Sequence, residues 1–219
     1  MAPQQAAAAV DALSGTEIVS GIMVFTPSES KRLIAKAVTQ LPEVQAAMKK
    51  GRIIVANGTG NAFVAEELTG KPVHKSWYTR GHIIDGGLAT NRRHANLLRS
   101  ICLVNGQSVE AMPEEVLKDF DADDVVIKGG NAVDLDGNVG VIVGSPIGGT
   151  VGMFAGIVGS RGAHLIAPIG LEKLIPSVPD AAQTMGLRKL KYPIGGAVGM
   201  LVMTNAKVIT EIEALDILA

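Results

Sequence analysis

The stretch Arg52-Ile53-Ile54-Val55-Ala56-Asn57-Gly58-Thr59-Gly60-Asn61-Ala62 decides the fold. Its first half is short, apolar and β-branched, the pattern of a strand covered on both faces. Asn57 to Asn61 then sets two glycines among small polar residues, the composition of a tight turn. Ala62 to Leu68 returns to helix-forming residues. Strand, glycine-rich loop and helix in immediate succession are the unit from which parallel α/β sheets are assembled.

The same alternation extends in both directions. Upstream, Glu17 to Phe25 reads as an early strand. Thr26-Pro27-Ser28-Glu29 opens a helix, with Thr26 as N-cap, Pro27 at the first helical position and Glu29 closing a capping box. A second helical piece runs from Pro42 to Lys50 and stops at Gly51. Downstream, Asn105-Gly106 marks a β-hairpin between Ile101–Val104 and Gln107–Glu110. Pro113 to Lys118 is a helical turn, and Asp124 to Ile127, Val139 to Val143, His164 to Pro168 and Val198 to Met203 are strands. A helix follows Gly148-Gly149-Thr150, and Lys207 to Ala219 is partly helical. The expectation is an α/β fold with a mainly parallel open sheet flanked by helices and a small inserted polar or β segment. Residues 1–15 read as a flexible lead-in and 16–219 as one α/β domain, with 71–112 a less regular insert or lid. The chain stops inside the helix-forming stretch Thr210 to Ala219, as a C-terminally shortened chain would.

Composition narrows the function classes. At 219 residues, with 47% hydrophobic and 19% charged residues, the chain can bury one substantial core. Twenty basic against 21 acidic residues leave a net charge of −1, so no basic excess drives binding to a nucleic-acid backbone. Aromatics at 3% argue against base-stacking surfaces. A single cysteine, Cys102, forms neither an internal disulfide nor a multi-cysteine metal site, which suits a reducing cytoplasm. His82 and His94 lack metal-ligand spacing, and Cys102 sits between Ile101 and Leu103 as a buried strand residue. No metal and no cofactor is expected. The uncharged run Asn138 to Ser160 is long enough to span a bilayer. However, Pro146 and Gly148-Gly149 interrupt it and no aromatic belt flanks it, so a strand, a turn and a packed helix are expected instead.

Four places could carry chemistry. Asn57, Gly58, Thr59, Gly60 and Asn61 precede a helix, where backbone N–H groups and the helix's positive end receive a phosphate or carboxylate; the same residues also make a tight turn without a ligand. Lys128 ends an apolar strand, where open α/β sheets place their ligands, and leads into Gly129, Gly130 and Asn131. Lys128 is expected to neutralise an anion or to act as an amine if burial lowers its pKa. Asp134 is a candidate proton carrier or a cap of the Asp136-Gly137-Asn138 turn. The Gly148, Gly149, Thr150 turn offers further backbone donors, or simply close helix–sheet packing. The polar middle holds Tyr78, Arg80, His82, Asp85, Arg92, Arg93 and His94, with His82 and Asp85 as a base and its orienter and the arginines over an anionic substrate.

Taken together, Gly58-Thr59-Gly60-Asn61 between strand and helix resembles the phosphate loop of the ribose-5-phosphate isomerase, glucosamine-6-phosphate deaminase and CoA-transferase-like superfamily. Ile127 to Val139 looks like the lactate-utilisation and methylthioribose-phosphate isomerase branches, and Gly170-Leu171-Glu172-Lys173-Leu174-Ile175-Pro176 like a lactate-utilisation segment. The isomerase's acidic Asp-Gly-Ala-Asp-Glu turn is replaced here by Lys128, Gly129, Gly130, Asn131 and Ala132, and no CoA-transferase glutamate motif occurs. The resemblance implies a cleft for a small anionic, phosphorylated or carboxylated, sugar-like metabolite and an isomerase-type proton transfer through an enediolate-like intermediate. In it, Lys128, Asp134 and Asp85 act and the glycine loops bind. A non-catalytic ligand-binding or regulatory protein on the same fold is the alternative. The expected partner is thus a small anionic metabolite, with neither nucleic acid nor membrane, in the cytoplasm and as a homo-oligomer.

Overall fold

The computed structural model describes residues 20–90 and 96–219. Helix α1 (Pro27–Gln40) begins as its sequence dictates: the Thr26 hydroxyl accepts the Glu29 N–H and the Glu29 carboxylate accepts the Thr26 N–H at 2.7 Å. Helix α2 (Pro42–Lys49) follows after one extended residue, Leu41. The chain then alternates through β1 (Arg52–Val55), α3 (Thr59–Thr69), β2 (Gly81–Ile84), β3 (Gly87–Thr90), β4 (Ile101–Val104), β5 (Gln107–Val109), α4 (Pro113–Lys118) and β6 (Val125–Ile127). It continues through β7 (Ala132–Val133), β8 (Val139–Val143), α5 (Gly149–Arg161), β9 (His164–Pro168), a 3-10 turn (Leu171–Lys173), α6 (Val178–Thr184), β10 (Gly199–Met203), β11 (Lys207–Ile209) and α7 (Glu211–Leu218).

The central sheet has the order β11-β9-β6-β1-β4-β5. β11, β9, β6 and β1 are parallel, with Ile53 opposite Val125 and Val125 opposite His164. β4 and β5 close one side as an antiparallel hairpin through Asn105 and Gly106, both at positive φ. The fold is therefore α/β with a mainly parallel central sheet. Beside it lie an antiparallel sheet, β10-β8-β7, and a two-stranded ribbon, β2-β3. Within 71–112, the ribbon is a separate sheet bridged through Leu88 to Gly195, while β4 and β5 extend the central sheet.

Strand alternation divides the apolar runs between two cores. Ile53, Val55, Leu103, Val125, Ile127, Ile166 and Ile209 face α1, α2, α3 and α7. Ile54, Cys102, Val126, Leu165 and Ala167 face α4, α5 and the second sheet. Tyr78, fully buried, joins the layers at the β1–β4 boundary: its hydroxyl donates to Val55 O at 2.5 Å and accepts the Ile101 N–H at 2.9 Å. Burial pushes its phenol pKa far up, so it stays a donor.

Two expectations change. Residues 20–25 form no strand: no strand among the described residues pairs with them, and Ile22, Met23 and Val24 are exposed. The uncharged run 138–160 is a strand, a glycine turn and a helix, and no helix among the described residues is long and apolar enough to cross a membrane.

Candidate functional site

Three chain segments leave the C-terminal edge of the parallel sheet side by side. β1 runs into Ala56-Asn57-Gly58, β6 into Lys128-Gly129-Gly130, and β9 into Ile169-Gly170. After β1 the chain turns to a helix on one face of the sheet, and after β6 it passes to the second sheet and α5 on the other. Divergence of neighbouring connections opens a crevice at this point in α/β sheets.

Polar side chains hold the segments together. Asn61, buried on the first turn of α3, donates from Nδ2 to Ala56 O at 2.7 Å and accepts the Gly129 N–H on Oδ1 at 3.0 Å. Asn57 accepts from Ser100 Oγ at 2.9 Å and Arg80 Nε at 3.0 Å, and donates to Leu98 O at 3.0 Å. A Cβ on Gly129 would lie 2.6 Å from Pro168 O, so glycine is what lets the β6 loop rest against β9. The Asn57 and Asn61 amides, expected to hold a ligand, therefore serve as internal sutures, a use that their turn-like sequence also permits. Gly60 lines the crevice itself, Thr59 is exposed beside it, and Gly58 donates its N–H to Tyr78 O at 2.8 Å.

Lysines gather around these loops. Lys128 Nζ donates to Asn57 O at 3.2 Å, and Lys173 Nζ, on the 3-10 turn, to Gly130 O at 2.8 Å. Lys31 Nζ, from α1, donates to Pro27 O and to Glu172 Oε1, each at 3.1 Å. Burial, reinforced by the charge of Lys173, lowers the Lys128 pKa to about 8. Burial also lowers Lys173; Lys31 acts in the same direction and Glu172 opposes it. Among the described residues, no carboxylate forms an ion pair with Lys128 or Lys173. A narrow cleft of about 10 Å³ free volume lies between Lys31, Ile34, Gly60, Pro168, Gly170 and Lys173, room for one water-sized sphere.

The 3-10 turn is fixed from behind. The Glu211 carboxylate accepts the Leu171 N–H at 2.8 Å and the hydroxyl of buried Ser30. Lys31, Ser30 and Glu211 carried no sequence signal, because each lies in a helix pattern that reads as solvated face or cap. Lys173 was visible only within its Gly-x-x-Lys segment.

The remaining expected residues fall elsewhere. Asp134 accepts the Asn138 N–H at 2.9 Å, Asn138 Nδ2 at 3.1 Å and the Val178 N–H at 2.9 Å. Burial works against its charge, but these bonds outweigh it and hold the carboxyl below the ordinary value, so it is an anchor for the turn and a poor proton carrier. Asn131 donates its N–H to Gly140 O at 2.7 Å and accepts the Ile142 N–H on Oδ1 at 3.0 Å, joining the β6 loop to the second sheet. Gly130 packs so closely on β8 that a Cβ would lie 2.3 Å from Val139 Cγ1. Asp85 is exposed in the two-residue turn of the β2–β3 ribbon, at φ 51°, with no contact to the lysines. Gly148, Gly149 and Thr150 open α5, and their close neighbours are Leu201, Gly152 and Ser145 rather than the cleft. His82 lies on β2, and Arg92, Arg93 and His94 fall outside the described residues. Cys102 is buried on β4, where loss of solvation pushes its thiol up to about 11.

Comparison of the chain with family models, curated proteins and solved structures returns no match.

Proposed function

We propose that the crevice at the ends of β1, β6 and β9 binds the phosphate or carboxylate of a small carbonyl metabolite, and that the protein is an enzyme catalysing proton transfer beside that carbonyl. The observation that carries this is the pairing of Lys128 and Lys173 with backbone carbonyls alone. Neither lysine forms an ion pair with a carboxylate among the described residues, and the one carboxylate acting on Lys173, Glu172, is already paired with Lys31, so the lysines leave a net positive charge that a bound anion compensates. The first turn of α3, with Gly60 in the cleft, adds backbone donors without intrahelical acceptors. Lys128 polarises the carbonyl, stabilising the oxygen that gains charge as the neighbouring proton leaves. This is the isomerase-type chemistry implied by the superfamily resemblance, with lysine in place of the acidic turn.

Binding without turnover is the second reading. It is favoured by the engagement of the nearby carboxylates: Glu172 pairs with Lys31, Glu211 caps the 3-10 turn, and Asp134 anchors its own loop.

The test is thermal unfolding with increasing inorganic phosphate, followed by proton-exchange measurements on sugar phosphates and small oxo acids in deuterated water. Ligand binding to the native state raises the melting temperature. We expect phosphate to stabilise the wild type and to lose its effect in Lys173→Met. An unchanged melting temperature at saturating phosphate would remove the reading, and binding without carbon-bound deuterium uptake would select the second one.

A further inference from the structure

Beyond the crevice, we propose that one end of the second sheet is a docking surface for an anionic lipid bilayer, with Arg188 and Lys191 on the headgroups and Ile83, Ile147, Tyr192 and Ile194 at the edge of the hydrocarbon. β8 and β10 are antiparallel, with Val143 opposite Gly199. The turn after β8 and the loop 186–198 before β10 therefore leave the sheet at the same end, and a Cβ on Gly144 would lie 3.9 Å from Val198 Cγ1. The ribbon joins them there. Leu88 on β3 donates its N–H to Ile194 O at 3.3 Å and accepts the Gly196 N–H at 2.8 Å, and Ile83 is the cross-strand partner of Leu88. Gly195 makes this contact possible: its φ is 85°, and a Cβ would lie 2.3 Å from Leu88 O. The base of the loop is closed by the Gly186 N–H, which donates to Val198 O at 2.9 Å.

Single exposed apolar side chains are ordinary surface, whereas a gathered set marks a contact. On these adjoining segments Tyr192 is 93% exposed, Ile147 84%, Ile194 78% and Ile83 69%. Charge tells what covers them. The chain as a whole is nearly neutral, yet no acidic residue occurs between Asp136 and Glu172 or between Asp180 and Glu211, the stretches that supply the turn and the loop. Lys189 is tied to Gln183 O, while Arg188 and Lys191 are exposed and enter no ion pair among the described residues. The ribbon adds one acid, Asp85, in its turn.

Cations beside protruding aliphatic side chains and a tyrosine match the layers of an anionic membrane surface: charged headgroups outside, acyl chains beneath, an aromatic belt between. A nucleic acid would meet the cations but leave three isoleucines without a partner, and one tyrosine offers little stacking. Surface contact needs no spanning helix. The uncharged run 138–160 contributes to it only through Ile147.

The experiment is co-sedimentation of the full-length chain with vesicles of phosphatidylcholine alone or mixed two to one with phosphatidylserine, at low and high salt. We expect sedimentation with the mixed vesicles only, weakened by salt. Arg188→Gln and Lys191→Gln should each lower the partition coefficient roughly fivefold. Tyr192→Ser with Ile194→Ser should lower it severalfold and leave its salt dependence unchanged. Lys36→Gln, at an exposed lysine of α1, should change nothing. All variants should melt as the wild type does and keep any phosphate stabilisation, since none of these residues lines the cleft. No sedimentation with mixed vesicles at low salt, or an equal loss in Lys36→Gln, would overturn the proposal. So would loop-dependent binding of RNA or polyglutamate without vesicle binding, which would give the surface to another partner.

Discussion

Two glycine turns open helices in this molecule, and they do different things. Gly58-Thr59-Gly60 leads from the central parallel sheet into α3, next to Lys128, Lys173 and the β9 loop. Gly148-Gly149-Thr150 leads from the antiparallel second sheet into α5, with Gly148 and Gly149 at φ 79° and 58°. In sequence both are small, polar and followed by a helix. In space the first borders loops where Lys128, Lys173 and Lys31 gather with the single carboxylate Glu172, and the second packs its backbone against Leu201 and its own helix. A glycine turn acquires an anion-binding use from what the sheet places opposite it, since glycine itself contributes only close approach and freedom of φ.

The widest gap between the turns should appear on removing one polar side chain from each. Asn61→Ala strands a buried carbonyl at Ala56 and a partly buried N–H at Gly129. Each unsatisfied group costs about 1–3 kcal/mol, so we expect a loss of about 2–4 kcal/mol of stability. Thr150→Ala, at a position with no side-chain bond to the cleft, should change stability by no more than about 0.5 kcal/mol. Urea unfolding with an unchanged m-value measures both. Equal losses would mean that Asn61 does not suture the first turn as its geometry states.

The difference between these turns was not readable from the sequence, although most of their surroundings were. Pro27, Pro42 and Pro113 stand at the starts of helices because proline at the first turn forgoes an N–H that has no acceptor anyway. Asn105-Gly106 forced a hairpin, and the β-branched runs at 53–55 and 125–127 became central strands. An apolar run does not reveal its direction, so the hairpin was legible but the antiparallel docking of β4 on β1, and the antiparallel second sheet, were not distinguished from parallel pairing. Nor does it reveal whether anything covers it, which is why Ile22-Met23-Val24 passed for a strand. The lysine cluster draws on α1, β6 and the turn after β9, which are distant in sequence, and only the sheet order brings them together. The carboxylate of Asp134 invited a chemical role because side-chain type is visible in sequence and hydrogen-bond saturation is not.

A pH series sharpens the electrostatic side of the comparison. Lys128 titrates near 8 in the folded chain and near the ordinary lysine value when unfolded. Between those limits the unfolded chain binds the extra proton, so this residue makes stability rise with pH across the window. Below it, the buried charge is a cost, of the order of 1–2 kcal/mol once partial solvent exposure is allowed for. Cys102 has the opposite sign: its thiol stays protonated up to about 11 when folded, so its contribution falls as pH rises above the ordinary thiol value. The difference between wild type and Lys128→Met isolates the lysine. That difference should favour Lys128→Met below pH 8 and shrink toward pH 10.5. A difference independent of pH would mean that Lys128 is not desolvated. Thr150→Ala, at the other turn, should leave the wild-type pH profile in place.

The smallest effects test whether the second turn is packing alone. Along α5, Gly152 and Gly156 sit one helical turn apart, and both are exposed. A Cβ on Gly152 would lie 2.2 Å from Ile147 O, a backbone atom in the turn that cannot move without moving the turn itself. A Cβ on Gly156 meets nothing within 4 Å. Alanine replaces glycine in a helix interior with a gain of about 0.5–1 kcal/mol when space allows, because less backbone entropy is lost on folding. Gly156→Ala should therefore stabilise by about that amount. At Gly152 the same gain is overtaken by the overlap with Ile147, giving a net loss of about 1–2 kcal/mol. Neither substitution should alter phosphate stabilisation, since the contacts of this turn run to Ser145 and Leu201. If Gly152→Ala abolished phosphate binding while the protein stayed folded, the second turn would be part of the anion site, and the contrast between the turns would reduce to their sheets.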